Sequence, residues 1–277
     1  AKRIEAGREM MIGGICESPL TVRALVGWRD ALHEGKMLLR DIIDLDASYA
    51  GAEQVDPVAA AVVAGEGEGE AGEAAEVEEI AETVEGEAEG EEGDGEESSI
   101  SLAAMEAALK PTILALFDEV ADTHKKLSKI QDQRVAAAIK GIELPRATER
   151  RYDKLKEEAI ELLGGVRLNN TRIEHLVERL YDLNRRLLGE EGRLLRLAET
   201  VGVKRAEFLQ HYLGDEMSGD WLERVAKLPG RGWAKLPDRY GTEVAKHRTA
   251  IAQVAQDAKL PIPEFRKLVQ TVQRGER

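Results

Sequence analysis

The residues that most often catalyse reactions or bind metals are scattered in this sequence. Its 277 residues include five histidines and a single cysteine, Cys16. No two histidines have the spacing of a zinc site, and one cysteine cannot form a disulfide within the chain. We therefore expect each histidine at the surface or partly packed, with no metal bound. The histidines are His33, His124, His175, His211 and His247.

Carboxylates are abundant, but many of them lie in one tract. Residues 66–97 contain fifteen glutamates, one aspartate and no lysine or arginine. A metal cage needs ligands at fixed positions, and a catalytic acid needs burial. A stretch rich in glycine and glutamate provides neither, so we expect no catalytic or metal-binding role for this tract.

Two short strings match known motifs by residue type alone. Gly67-Glu68-Gly69-Glu70-Ala71-Gly72 has the spacing of a dinucleotide-binding loop. No strand pattern precedes it, however, and its glutamates would repel phosphate. Asn169-Asn170-Thr171 has the spacing of a glycosylation acceptor, but we interpret it as a helix start with a capping threonine. The sequence contains no phosphate loop, nucleophile elbow or kinase motif, so we predict that the chain is not an enzyme and binds no cofactor.

The net charge of −14 comes from the acidic tract. Removing its sixteen acidic residues from the total of 53 leaves 37 against 39 basic residues, a net charge of +2. Six basic residues cluster along one predicted helix and just beyond it, and they are a candidate docking face for DNA phosphates or an acidic protein. The alternative is a solvated helix face, as charge runs usually are. The six residues of this basic set are Arg185, Arg186, Arg193, Arg196, Lys204 and Arg205.

Strong helix formers dominate the composition and aromatic residues make up only 4%, so we expect an all-α fold without many large aromatic anchors. Apolar residues at near-helical spacing predict helix over residues 1–46. A boundary falls at Ser18, which is a candidate N-cap, and Pro19 occupies the first position of the next helix.

Further long helices are predicted in the second half of the chain. One begins near residue 99 and contains Pro111, which either kinks it or marks its first turn. Another spans 171–199, because Thr171 and Glu174 have the spacing of a capping box. The remaining predicted helices cover 203–213, 218–228, a segment around Val244–Val254 and a segment around Phe265–Val272.

Composition divides the chain into four segments. Glycine and glutamate dominate the second one, where like charges repel and few apolar side chains are available, so it is predicted to be a disordered acidic linker. The predicted segments are 1–46, helical; 47–98, the acidic linker; 99–260, a helical body; and 261–277, a final helix. The sequence starts and stops inside helical patterns, so we expect an excised fragment. No run of eighteen apolar residues predicts a membrane span.

Several strings resemble conserved positions of bacterial primary sigma factors, the subunits that direct RNA polymerase to promoters, and they occur in that family's order. They match the end of region 1.2, the helix after it, a string late in the family's variable insert and the entrance to region 2.1. An acidic tract at this place is also typical of the family. In chain order the strings are Ala1–Glu5, Glu17–Pro19 with Val22–Trp28, Gly214–Glu216 with Asp220-Trp221, and Glu264–Val269 with Gln273–Arg277.

The resemblance implies that the chain is the non-conserved insert between regions 1.2 and 2.1, together with its conserved edges. In the family this insert is an all-α, multi-helix body beside the promoter-binding domain. The implied partners are core RNA polymerase through its largest subunit, promoter DNA in the full-length protein and an accessory regulator, all in the cytoplasm and away from membranes. The family's base-contacting residues lie outside the matched strings, so none is carried over. The alternative is an unrelated helical adaptor or scaffold with an acidic spacer.

Overall fold

A computed structural model describes residues 2–52, 102–230 and 232–276. Within these ranges the chain forms ten α-helices and a short 3-10 turn at Leu39–Asp41. They contain no strand beyond one isolated antiparallel bridge between Ile43 and Leu168, so the all-α prediction is confirmed. The helices are α1 (Lys2–Cys16), α2 (Pro19–His33), α3 (Leu45–Ala52), α4 (Leu102–Lys140), α5 (Arg146–Gly164), α6 (Asn170–Thr200), α7 (Arg205–Tyr212), α8 (Trp221–Ala226), α9 (Lys235–Ala258) and α10 (Ile262–Glu276).

The first predicted helix is interrupted. Ser18 caps α2 as predicted, because its side chain accepts a hydrogen bond from the Leu20 N–H at 3.3 Å. The prediction that helix continues from this boundary to residue 46 is wrong, however, since α2 ends at His33 and Gly35 follows in the left-handed region at φ +68°. A glycine in this conformation commonly terminates a helix.

The loop after α2 is held by the loop before α6 rather than by helical bonds. The Asp44 N–H donates to the Arg167 carbonyl at 2.8 Å, and the Asn169 N–H donates to the Ile42 carbonyl at 2.9 Å. These long-range backbone bonds satisfy groups that a helix would otherwise pair locally.

The predicted linker begins too early. Helix α3 continues to Ala52, inside the segment 47–98. Asp44 starts this helix, because its side chain accepts a hydrogen bond from the Ala47 N–H at 3.1 Å. The rest of the predicted linker, residues 53–98, lies outside the described residues.

Helix α6 begins one residue earlier than predicted and has a different cap. The side chain of Asn169 accepts a hydrogen bond from the Thr171 N–H at 3.0 Å, so asparagine is the N-cap and Thr171 is not. Asparagine caps at least as well as threonine, and here the competing residue is two positions earlier. Pro111 lies inside α4 well beyond the described start of the helix, so it does not mark a first turn.

Buried apolar side chains form two main clusters. The larger cluster contains residues of α1 and of the five helices from α6 through α10. The smaller cluster joins α2, the 3-10 turn, the first half of α4 and the end of α5. Trp28 and Leu168 contact both clusters. The body is therefore continuous, with α4 running from the smaller cluster to the larger one, where it contributes Val135.

The larger cluster concentrates four aromatic side chains. Phe208, Tyr212, Trp221 and Trp233 are each at most 1% exposed, and the ring centroids of contacting pairs lie 5.0–6.5 Å apart. Stacked and edge-to-face pairs of this kind add to the free energy gained from burial. Four of the eleven Phe, Trp and Tyr residues of the chain are thus gathered around the short helices α7 and α8.

Helices α1 and α10 pack directly on each other through glycine. A Cβ atom added to Gly7 would lie 2.7 Å from the Gly275 carbonyl oxygen. One added to Gly275 would lie 2.6 Å from both the Gly7 oxygen and the Met11 nitrogen. Only glycine allows two backbones to approach this closely. The crossing joins the helix before the body to the helix after it.

This contact gives a testable prediction for Gly7→Ala. The added methyl group would have to displace the backbone of α10, so we expect a loss of about 1–3 kcal/mol in the free energy of unfolding. The matched control is Gly13→Ala on the same helix, where a Cβ meets open space. It is expected to be neutral or to gain about 0.5–1 kcal/mol. Urea denaturation followed by circular dichroism measures both, and equal effects of the two variants would contradict the prediction.

Candidate functional site

The six residues of the basic set lie along α6 and at the start of α7. Arg185, Arg186, Arg193 and Arg196 are exposed on α6, on the side away from its buried leucines. Lys204 precedes α7 and Arg205 is the first residue of that helix. The structure therefore brings four of the six onto one helix side, with the last two beyond its C-terminal end.

Three of these six charges are paired within the chain. Arg185 bonds to Asp182, Arg186 Nη1 lies 3.0 Å from Asp257 Oδ2, and Arg193 Nη1 lies 2.5 Å from Glu190 Oε1. The three pairs hold carboxylates close to the guanidinium groups. A phosphate approaching these arginines would meet a locally balanced surface.

The other three members of the basic set have no carboxylate partner among the described residues, so their positive charge is available to a binding partner. Arg196 donates to the Gly192 carbonyl of its own helix at 3.2 Å. Among the described residues, Lys204 and Arg205 have no side-chain hydrogen bond or ion pair, and both are exposed. The end of the basic set at Arg196, Lys204 and Arg205 is therefore its more strongly cationic part.

A second candidate site is the junction at which α10 enters the body. On one side of α10, Arg134 of α4 donates two hydrogen bonds to Glu264, at 2.6 and 2.9 Å. Its Nε also donates to Glu149 of α5, and its guanidinium lies 4.0 Å from the ring centroid of Tyr152. Arg134 is only 12% exposed, so these are charge-assisted bonds in a partly desolvated place.

On the other side of α10, Arg266 contacts two carboxylates of the body. It bonds to Glu191 of α6 and lies 3.6 Å from Glu216, which is only 3% exposed. Tyr212 also donates to Glu191, at 3.0 Å. The two pairs are reciprocal, because an arginine of the body holds a glutamate of α10 while an arginine of α10 holds glutamates of the body.

Glu216 belongs to the loop between α7 and α8, residues 213–220, hereafter the 213–220 loop. Gly214 has φ +95°, and its N–H donates to the Glu216 carboxylate at 2.9 Å. Arg248 of α9 donates to the carbonyl groups of Asp215 and Ser218. The loop is thus held closed by Glu216 from within and by Arg248 from α9.

Trp221 follows this loop and anchors it in the core. Its indole N–H donates to the His211 carbonyl at 2.7 Å, and the Arg248 guanidinium lies 4.8 Å from its ring. Asp215 and Asp220 both pair with Arg224. The string that the sequence analysis singled out around residues 214–221 therefore has a structural role in closing the loop.

Burial changes the ionisation of this cluster. Burial raises the pKa of Glu191 despite the nearby Arg266, with a smaller contribution from the Glu216 charge. Burial also raises the pKa of Tyr212. On the other side of α10, burial raises the pKa of Tyr152 to about 12. Each carboxylate of the junction contacts an arginine: Glu191 and Glu216 contact Arg266, and Glu264 contacts Arg134.

The histidines occupy unrelated places. His247 Nδ1 lies 2.6 Å from Glu190, and His211 packs edge-on against Trp233 at 5.8 Å between centroids. Burial lowers the pKa of His124. Within the described residues, no three histidine, cysteine, aspartate or glutamate side chains are grouped as metal ligands would be.

Comparison with known families decides between the sigma-factor interpretation and the unrelated adaptor. Residues 18–255 match the family described as the sigma-70 non-essential region. The match covers most of the chain. The chain belongs to this family. The non-essential region is part of a primary sigma factor, which binds core RNA polymerase and directs promoter recognition and transcription initiation.

The match begins and ends close to the boundaries of helices. The non-essential region begins at Ser18, the N-cap of α2, and its match ends at Ala255 near the end of α9. Helices α1 and α10 therefore flank it, and the glycine crossing joins these flanks. Among helices of the described ranges, none combines the length and apolar character that a membrane span needs.

Sequence reasoning found the basic set but not the junction. Arg134 and Glu191 are single charged residues in long helical patterns, and nothing in their spacing distinguishes them. Glu216 lay in the string around residues 214–221, but its contact with α10 was not predicted. Glu264 and Arg266 lay in the string that resembles region 2.1, but without a described role. The partners are far apart in sequence, up to 130 residues for Arg134 and Glu264, so only the fold brings them together.

The junction predicts a measurable coupling between Arg134 and Glu264. A double-mutant cycle with Arg134→Gln and Glu264→Gln should give about 1–3 kcal/mol in urea denaturation, because the pair is bidentate and partly buried. The exposed pair Asp182–Arg185, changed in the same way, is the control and should give below about 0.5 kcal/mol. A coupling energy no larger than the control's would show that Arg134 and Glu264 do not hold α10.

Proposed function

We propose that the non-essential region is a non-catalytic docking body, held beside the promoter-binding domain, that contacts the largest subunit of core RNA polymerase. Residues 1–17 form the end of region 1.2 and 261–277 form the start of region 2.1, with the body between them. The protein acts in the cytoplasm together with the polymerase. The same body is a candidate docking place for an accessory regulator.

The observation that carries the proposal is the paired arrangement of α1 and α10. The helices before and after the body meet at Gly7 and Gly275. The two ends of the body therefore lie next to each other, at the place where it is connected to the rest of the protein. A domain inserted in this way occupies space beside its host without interrupting the host's own packing. Such a body is suited to reach a neighbouring subunit.

The surface supports a protein partner better than direct reading of DNA. Three arginines of the basic set are paired with carboxylates, which leaves three cations for the phosphates of a duplex, whereas extended phosphate binding uses many. The exposed end formed by Arg196, Lys204 and Arg205 suits an acidic patch on the partner. Electrostatic contacts between exposed charges mainly raise the association rate and determine which partner binds.

The test compares two triple variants that remove the same charge. The variant Arg196→Gln, Lys204→Gln, Arg205→Gln is expected to weaken binding of the chain to the isolated largest subunit at least about threefold at low salt, because each exposed charge pair contributes about 0.2–1 kcal/mol. The difference should shrink as salt rises. Binding is measured by biolayer interferometry.

The control variant is Arg185→Gln, Arg186→Gln, Arg193→Gln, whose side chains are paired within the chain. It should bind nearly as well as the unaltered chain. Equal losses in the two variants would mean that only net charge matters. Failure of the unaltered chain to bind the largest subunit would refute the docking proposal itself.

A further inference from the structure

We propose that docking of α10 on the body and closure of the 213–220 loop are coupled, so that a change in the position of α10 changes the surface of the body at this loop. The coupling passes through Arg266, which is the side chain of α10 that enters the loop's charge cluster. The proposal concerns contacts within the chain and holds whichever partner the body binds.

First, the charge cluster of the loop is held by Arg266. Glu191 and Glu216 both contact this one guanidinium, so the two carboxylates are held at a common point. Glu216 is 97% removed from solvent, since only 3% of it is exposed. Because the two carboxylates share this one cation, removing it leaves both without their charged partner.

Second, Arg266 is the only cation among the described residues within 4.0 Å of Glu216. Arg248 faces the same cluster and its Nη1 has no hydrogen-bond partner, but it makes no ion pair with Glu191 or Glu216, its Nη2 donates to the carbonyl groups of Asp215 and Ser218, and its guanidinium lies over Trp221. Arg224 is occupied by Asp215 and Asp220. If α10 moves away, Glu216 is expected to turn toward water, and it then releases the Gly214 N–H that it caps.

The third step is that α10 is held from the opposite side by residues that do not touch the loop. Glu264 is bound by Arg134, and Arg134 is also bound by Glu149. Loosening this side changes the docking of α10 and leaves Arg266, Glu191 and the loop chemically unaltered. Because coupling free energies are reciprocal, a ligand that opened the loop would also favour release of α10.

The surface that would change is a cleft beside the loop. It has a volume of about 460 Å³ and is lined by the loop, by the C-terminal end of α4 at Lys140 and Gly141, and by Pro261 and Pro263 at the start of α10. Opening the loop would alter one wall of this cleft, and movement of α10 would alter another. The cleft is therefore where the coupled change reaches the outside of the body.

Hydrogen–deuterium exchange with mass spectrometry on the 277-residue chain tests the coupling. The decisive variant is Glu264→Gln, which loosens α10 from the side away from the loop. Exchange should become about tenfold faster both in α10 and in the 213–220 loop, because opening of the two segments is shared. Arg266→Gln should accelerate the same two segments, and Arg274→Gln, at an exposed position of α10, should accelerate neither.

Four outcomes would overturn the proposal. In Glu264→Gln, faster exchange in α10 with an unchanged loop would show that the two move independently, and no change in either would show that Glu264 does not hold α10. A faster loop with unchanged α10 would also exclude coupling. Exchange in α2, which lies in the smaller core, must stay unchanged. Faster exchange there too would mean that Glu264 supports the whole fold instead of coupling two segments.

Discussion

Direct backbone contact between α1 and α10 is the constraint on which the rest of this structure depends. Gly7 and Gly275 allow the two helices to approach more closely than any side chain would permit. Once these helices are paired, the chain between them must leave and return at one place. The long helices α4 and α6 then form a body that stands beside the pair, and α10 lies between two of its sides. The charged contacts of the junction hold this position through charge-assisted hydrogen bonds from Arg134 to Glu264 and from Arg266 to Glu191.

The reciprocal arrangement at the junction connects packing with function. Arg134 holds Glu264 from the side of α4 and α5, while Arg266 is held from the side of α6 and the 213–220 loop. Helix α10 is therefore held on two sides by ion pairs in addition to its buried apolar residues. The contact between the body and α10 is thus close and also specific in charge.

The sequence predicted the helical class, the cap at Ser18 and most of the long helices, because these follow from local propensity and periodicity. It failed where tertiary contacts outweigh local preference. The segment after His33 has apolar residues at helical spacing, but its backbone bonds to the loop before α6 instead. At the start of α6 two polar residues competed as caps, and spacing alone did not separate Asn169 from Thr171. The basic set could be found from the sequence, and the i,i+3 spacing of Arg185 and Arg193 from Asp182 and Glu190 could have indicated their pairing. The pairing of Arg186 with Asp257 required the structure.

The most direct test of this account measures the distance between α1 and α10. Nitroxide labels on cysteines introduced at the exposed positions Glu9 and Gln273, in a chain with Cys16→Ser, allow double electron–electron resonance to record the distribution of distances. The account predicts one narrow distribution, because glycine contact leaves the two helices a single arrangement. A broad or bimodal distribution in the folded chain would contradict it, since the body would then be joined to its flanks by a movable connection.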